Sequence, residues 1–137
     1  MTFEKDIRRA YIDTILDGGY TRLADKTTNP TEGYVVGGVI EPTTMDLHTD
    51  KVKEVSVLTV SEFEEFKELW NKYDMLLHER VASADGAGIG IGTWIHKGQI
   101  YFDLVNNIQD LNIATRVARE RGEIAIWDCR NQKEITL

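Results

Sequence analysis

The alternation of apolar and polar positions along the chain predicts three helices separated by short strands. The first helix is predicted to begin at Thr2, whose hydroxyl is a suitable cap, and to end at about Leu16, before the glycine pair Gly18-Gly19. Its apolar positions recur at the helical period: Phe3, Ile7, Ala10, Tyr11 and Thr14. This spacing predicts a helix with one buried face.

Two more helices are predicted in the middle and in the C-terminal part of the chain. Ser61 and Glu64 have the spacing of a capping box, which opens the segment "EFEEFKELWNKY". Its apolar face is formed by Phe63, Phe66, Leu69, Trp70 and Tyr73. The third helix is predicted from about Ile108 to Arg121, with Asn107 as its cap and Gly122 as its stop.

The segments between the helices are predicted to be strands and loops. Strands are predicted in "YVVGGVIE", "VKEVSVLTV" and "MLLHERVAS", and in "EIAIWDCRNQKEITL" around a turn at Arg130-Asn131. The turn-rich segments "GGYTRLADKTTNPTEG" and "TTMDLHTD" are predicted to be loops. The order of elements predicts a single α+β domain over residues 1–137, with a largely antiparallel sheet.

The stretch "GAGIGIGTWIHKGQIYFDLV" begins with a glycine at every second position. It does not fit the G-x-G-x-x-G fingerprint of dinucleotide sites, and strand-forming residues follow it instead of a helix. It therefore predicts a hairpin that turns at Lys97-Gly98 and pairs Trp94 with Tyr101. Phe102 then faces the core, and the opposite face is a backbone trough, bare of side chains, that leads to the Trp94–Tyr101 pair.

Glycine inside a strand marks a place where another group approaches the backbone closely. Two interpretations of the trough remain open. It packs against a helix of the same chain or a neighbouring subunit, or it receives a planar ligand that stacks on Trp94 or Tyr101.

Three polar residues form one line on the third predicted helix: Asn112, Arg116 and Arg119. The apolar positions lie on roughly the opposite side of that helix: Leu111, Ala114, Val117 and Ala118. Taken alone, the polar line is a solvated face. Covered by another protomer, it would offer an amide to a base edge and guanidinium groups to phosphate oxygens.

Charge and composition exclude several classes of function. The net charge of −7 argues against general affinity for nucleic acid. No stretch approaches the roughly 18 apolar residues of a membrane span, and the N-terminus lacks a signal-peptide pattern. The single cysteine, Cys129, forms no internal disulfide. Together these features lead us to expect a cytoplasmic protein. The three histidines, His48, His78 and His96, show no metal-ligand spacing. We expect neither a metal nor a cofactor, and no catalytic constellation is visible.

The segment "GTWIHKGQIYFDLVNNIQDLNIATRVARERGEIAIWD" resembles small phage-encoded proteins. In particular it looks like the first-described type of Thoeris anti-defence protein, a sponge for isomers of cyclic ADP-ribose. The resemblance covers about the C-terminal third and rests on Phe102 and Asn112, whose spacing matches a nucleotide-holding phenylalanine and asparagine of that family. It implies arginines at the phosphates, with Arg116 and Arg130 as candidates, and a homo-oligomer with sites at protomer contacts.

The resemblance and the hairpin register disagree on which aromatic ring meets the ligand. The register turns Phe102 towards the core and Trp94 towards the open face, whereas the resemblance implies that Phe102 holds the nucleotide. The expected function is non-enzymatic binding and sequestration of a cyclic nucleotide-type immune signal, which counters an anti-phage defence inside the bacterial host cell. Phe102, Trp94 or Tyr101 would stack on the base. The alternatives are an oligomeric structural or accessory phage protein without a small-molecule ligand, and a nucleotide hydrolase.

Overall fold

The computed structural model describes residues 1–47, 60–83, 86 and 88–137, without the side chains of residues 60 and 61. These residues form three helices: α1 (Glu4–Asp17), α2 (Val60–Arg80) and α3 (Leu111–Glu120). They also form seven strands: β1 (Gly19–Leu23), β2 (Tyr34–Val36), β3 (Thr43–Asp46), β4 (Ile89–His96), β5 (Gln99–Ile108), β6 (Ala125–Asp128) and β7 (Lys133–Thr136). The predicted α+β class is confirmed.

The strands pair antiparallel in one sheet, in the order β1-β4-β5-β2-β6-β7. The long strand β5 organises this sheet, because β4 pairs along one of its edges while β3 and β2 follow one another along the other edge. Between β2 and β3 the strand pairing is interrupted. The intervening segment, residues 37–42, is called the crossover below. It stays along the same edge of β5 without forming a strand, and Val39 N–H donates to Leu104 O at 3.4 Å.

The β4–β5 hairpin has the predicted register. Trp94 pairs with Tyr101 and Thr93 with Phe102. The turn residues Lys97 and Gly98 both have positive φ angles, 49° and 75°, as a two-residue type I′ turn requires. Alternation then sends Ile91, Phe102 and Leu104 to one face, where they are fully buried.

All three described helices lie on that same face. Core residues of β4 and β5 pack with buried residues of α1 and α2: Ile7, Ala10, Tyr11, Ile15, Phe63, Phe66, Trp70, Tyr73 and Leu77. Farther along the sheet, Ala114 and Ala118 of α3 pack on Val36 and Ile126. Val36 pairs with Asn106, which shares the side of β5 that carries Leu104. The opposite face of the sheet is thus left open by these helices.

The helix ends differ in part from the prediction. Gly18 ends α1 with φ 84°, as expected. Thr2 does not cap α1, because Phe3 occupies the N-cap position. Thr2 instead ties the N-terminus to α2: its N–H donates to Asp74 at 2.8 Å and its hydroxyl accepts from the Trp70 indole at 3.0 Å.

The cap of α3 is Asp110, whose carboxylate accepts from Ile113 N–H at 3.0 Å, so the predicted cap at Asn107 was wrong. Asn107 is still inside β5. The side chain of Ser61, on which the predicted capping box of α2 depends, lies outside the described residues.

Three assignments between the helices were wrong. β1 and β3 lie in segments predicted to be loops, and "MLLHERVAS", predicted to be a strand, continues α2 as far as Arg80. The extension is amphipathic, since Leu77 is buried against the sheet while Met75 is 58% exposed. The predicted strand "VKEVSVLTV" lies outside the described residues, apart from Val60 at the start of α2.

Candidate functional site

The open face of the sheet forms a groove of about 910 Å³. Its floor contains Gly92, Val35 and Val105, which come from adjacent strands. A groove of this size can hold a nucleotide-sized molecule.

Trp94 and Tyr101 stand together at one end of the groove. Their rings are stacked, with centroids 5.2 Å apart and planes 13° from parallel. Both side chains are partly buried, so part of each ring surface is open to the groove. The hairpin register produces this pair, because the two residues are direct cross-strand partners. An aromatic platform of this kind suits a planar ligand.

The glycines of β4 play different parts. A Cβ at Gly90 would lie 2.5 Å from the carbonyl oxygen of Arg22, so the close approach there comes from β1 of the same chain. A Cβ at Gly92 would lie 2.8 Å from a methyl group of Val105. Gly92 lines the groove, whereas Gly90 does not. The glycine pattern is thus required largely by packing within the chain, and the bare trough is shorter than the sequence suggested.

Trp127 and Ile124 add apolar surface at the other end of the groove. Trp127 is 40% exposed and Ile124 is 81% exposed. Sequence reasoning did not single out Trp127, although the alternation in "AIWD" places it opposite the buried Ile126 and Asp128. The groove therefore has indole rings near both ends.

The charged side chains of the groove are acidic. Asp17, Glu123 and Glu134 line it, and the described lining residues include no lysine or arginine. The described part of one protomer thus offers no guanidinium or ammonium group to a phosphate in this groove. Asn112, Arg116 and Arg119 are exposed on α3, on the other side of the sheet, as the prediction of an outward line implied. Leu111, predicted to face inward, is 41% exposed.

Phe102 lies in the core. It is 0% exposed, and its ring centroid is 4.9 Å from that of Phe66 and 6.0 Å from that of Tyr73. The ring has no accessible surface on which a base could stack, so the stacking role implied by the resemblance does not fit this conformation. The physical reason is the strand alternation, which turns Phe102 away from Tyr101. Arg130 is exposed in the turn between β6 and β7, outside the groove lining.

A buried carboxylate lies beside the groove. Asp103 is 1% exposed, and burial is the main cause that raises its pKa to about 7. The negative charge of Glu123 acts in the same direction, while the Gly38 N–H bond opposes it. The hairpin register placed Asp103 on the open face, but nothing in the sequence indicated that the chain after β2 would cover it.

Cys129 and the two described histidines, His78 and His96, form no chemical centre, and His48 lies outside the described residues. The Cys129 thiol is 1% exposed, and burial together with the Asp128 charge raises its pKa to about 11, so it is a poor nucleophile at neutral pH. Among the described residues no group of three or more histidine, cysteine or carboxylate side chains is placed to hold a metal ion.

The described helices include none that is long and apolar enough to cross a membrane. Comparisons of this chain with protein-family models, with curated proteins and with solved structures give no match.

Proposed function

We propose that this protein binds a small molecule with a planar ring in the groove of its open sheet face, and holds it without converting it. The observation that carries the proposal is the stacked Trp94–Tyr101 pair at one end of a groove of about 910 Å³. Burial of a ring against such a platform provides affinity and requires neither an acid nor a base.

The ligand class we propose is a cyclic nucleotide-type signal, such as an isomer of cyclic ADP-ribose, sequestered in the cytoplasm of a bacterial host. The resemblance of the C-terminal third to Thoeris anti-defence proteins suggests this class. The acidic lining adds a condition, because the phosphates of such a ligand need positive charge and the described lining residues supply none from lysine or arginine. In a homo-oligomer, Arg116 and Arg119 of a second copy could supply it.

A second candidate is an oligomeric structural or accessory protein whose open face only packs against another subunit. The exposed Ile124 and Trp127 favour it, because apolar side chains at a concave surface are typical of protein contacts. Light scattering at micromolar concentration tests the assembly on which both candidates depend. A monomer would leave the groove uncovered, and among the described residues no lysine or arginine would then line it to meet the phosphates.

One experiment separates these candidates. The protein is incubated with a cyclic ADP-ribose isomer, freed of excess ligand, denatured, and its supernatant is analysed by mass spectrometry. Release of intact ligand supports sequestration, release of a cleaved product indicates a hydrolase, and no released ligand favours the structural candidate. A parallel sample that contains heat-unfolded protein measures how much ligand survives the washing step without specific binding.

Trp94→Ala is expected to weaken binding of the ligand strongly. Loss of a stacking ring costs about 1–3 kcal/mol, which corresponds to roughly a 5- to 150-fold increase in Kd. Isothermal titration calorimetry measures this change. Phe3→Ala is the matched control, because Phe3 is 71% exposed and lies outside the groove lining. Equal affinities of Trp94→Ala and wild type would place the ligand elsewhere.

A further inference from the structure

Asp103 lies beneath the crossover that follows β2. Gly38 N–H donates to Asp103 Oδ2 at 2.7 Å, which holds the crossover on β5. The other oxygen, Oδ1, is buried and has no hydrogen-bond partner among the described residues. A carboxylate in this position carries a large desolvation cost when it is ionised.

A second carboxylate lies across the crossover. A Cβ at Gly37 would be 2.5 Å from Asp103 Oδ2 and 2.6 Å from Glu123 Oε1. The largest separation that these two oxygens can have is therefore about 5.1 Å. Only glycine leaves room for both oxygens at this position. Two negative charges at such a distance repel each other unless one of them is neutralised.

Among the described residues, two further charged or titratable groups act near Asp103: Arg121, just after α3, and Tyr73 of α2. The Arg121 guanidinium donates to Gly37 O at 3.2 Å and to Asn106 Oδ1 at 2.7 Å. Its charge lowers the pKa of both carboxyl groups, but burial is the largest influence on each and raises both. The main cause that raises the pKa of Tyr73, on the core side of the sheet, is burial, and the negative charge of Asp103 raises that pKa further.

We infer that the crossover at Gly37 and Gly38 is a proton-sensitive contact: it stays closed on β5 while Asp103 is protonated, and it opens more often as Asp103 ionises. The ionised group is stabilised by water, and separation of the crossover from β5 is the movement that admits water to it. Gly37 and Glu123 also line the groove, so this opening displaces one wall of the groove.

The direction of the pH effect follows from the two states of Asp103. Its pKa is about 7 when the crossover is closed and is near the ordinary value of about 3.9 when the group is solvated. Deprotonation therefore favours the open state. The opening equilibrium is expected to increase by up to tenfold per pH unit from about pH 4 to about pH 7, and to level off above that.

Amide hydrogen exchange of Gly38, followed by NMR between pH 5 and pH 8, tests the inference. After correction for intrinsic exchange, protection of Gly38 N–H should fall by up to tenfold per pH unit and then level off near pH 7. Asp103→Asn keeps an oxygen acceptor for Gly38 but cannot ionise, so its protection should not change with pH. The free protein is used, so the result does not depend on the proposed ligand.

Asp128→Asn is the matched control, because Asp128 is also a buried carboxylate of the sheet but has a lowered pKa through its bonds from Asn131. It should leave the pH profile of Gly38 unchanged. If Asp103→Asn does not fold, Glu123→Gln replaces it. Removal of that charge lowers the pKa of Asp103, so Gly38 should be better protected at pH 8 than in wild type. Gly38 protection that does not vary with pH in wild type overturns the inference, as does an unchanged profile in the available variant.

Discussion

Phe102→Ala is expected to destabilise the protein by about 3–5 kcal/mol, the usual cost of removing a fully buried aromatic ring. The ring is 0% exposed and contacts Phe66 and Tyr73 of α2, so its loss leaves a cavity at the junction of helix and sheet. Chemical denaturation with tryptophan fluorescence measures the free energy of unfolding.

Tyr101→Ala provides the matched control on the same strand. Its ring stands on the open face, so its loss should cost less stability than the loss of Phe102. A Phe102→Ala protein with wild-type stability and no ligand binding would show that the ring serves the ligand, as the resemblance to Thoeris anti-defence proteins implies, and that the core placement is wrong.

The free energy of unfolding is expected to decrease as the pH rises from about 4 to about 7. In this range the unfolded chain has an ionised Asp103, with a pKa near 3.9, while the folded chain retains the proton up to about pH 7. The stabilising contribution of this group is therefore present below pH 4 and is lost as the pH passes through the folded pKa. The full effect is about 4 kcal/mol, and local opening of the crossover reduces it.

Urea unfolding at several pH values between 4.5 and 8 measures this slope. Asp103→Asn should remove the decrease and should be more stable than wild type at pH 8. Asp128→Asn should behave differently, because the lowered pKa of Asp128 contributes stability that is lost only when the pH falls below the ordinary aspartate range. A wild-type protein that gains stability from pH 5 to pH 7 would contradict the assignment of a raised pKa to Asp103.

The parts of the fold that could be predicted from sequence are those fixed by local interactions. The β4–β5 register follows from the turn at Lys97-Gly98 and from strict alternation, both of which lie within one short segment. β1 and β3 were missed because their backbones are strands only through pairing with β4 and β5, which are distant in sequence. In "MLLHERVAS" the predicted strand was wrong because Leu77 follows Trp70 and Tyr73 at helical spacing, and its packing in the same core extends α2.

In the candidate site, too, only the features set by local interactions could be predicted from sequence. Trp94 and Tyr101 could be paired from the hairpin alone. The burial of Asp103 depends on where the chain goes after β2, and the distance between Phe102 and any ligand depends on the layer that α2 forms above it. The burial of Asp103 and the burial of Phe102 therefore cannot be deduced from the residues adjacent to each in sequence.

The central position of β5 has a consequence for the order in which the chain can fold. β1 joins the sheet through β4, since Gly19 pairs with Trp94, and β2 joins it through β5 and β6. During synthesis, the apolar side chains of α1 therefore have no sheet to cover until β4 leaves the ribosome. Because such long-range contacts form late and slowly, we expect the N-terminal half to remain open to chaperones and proteases until the hairpin closes and supplies the edges on which the earlier strands assemble.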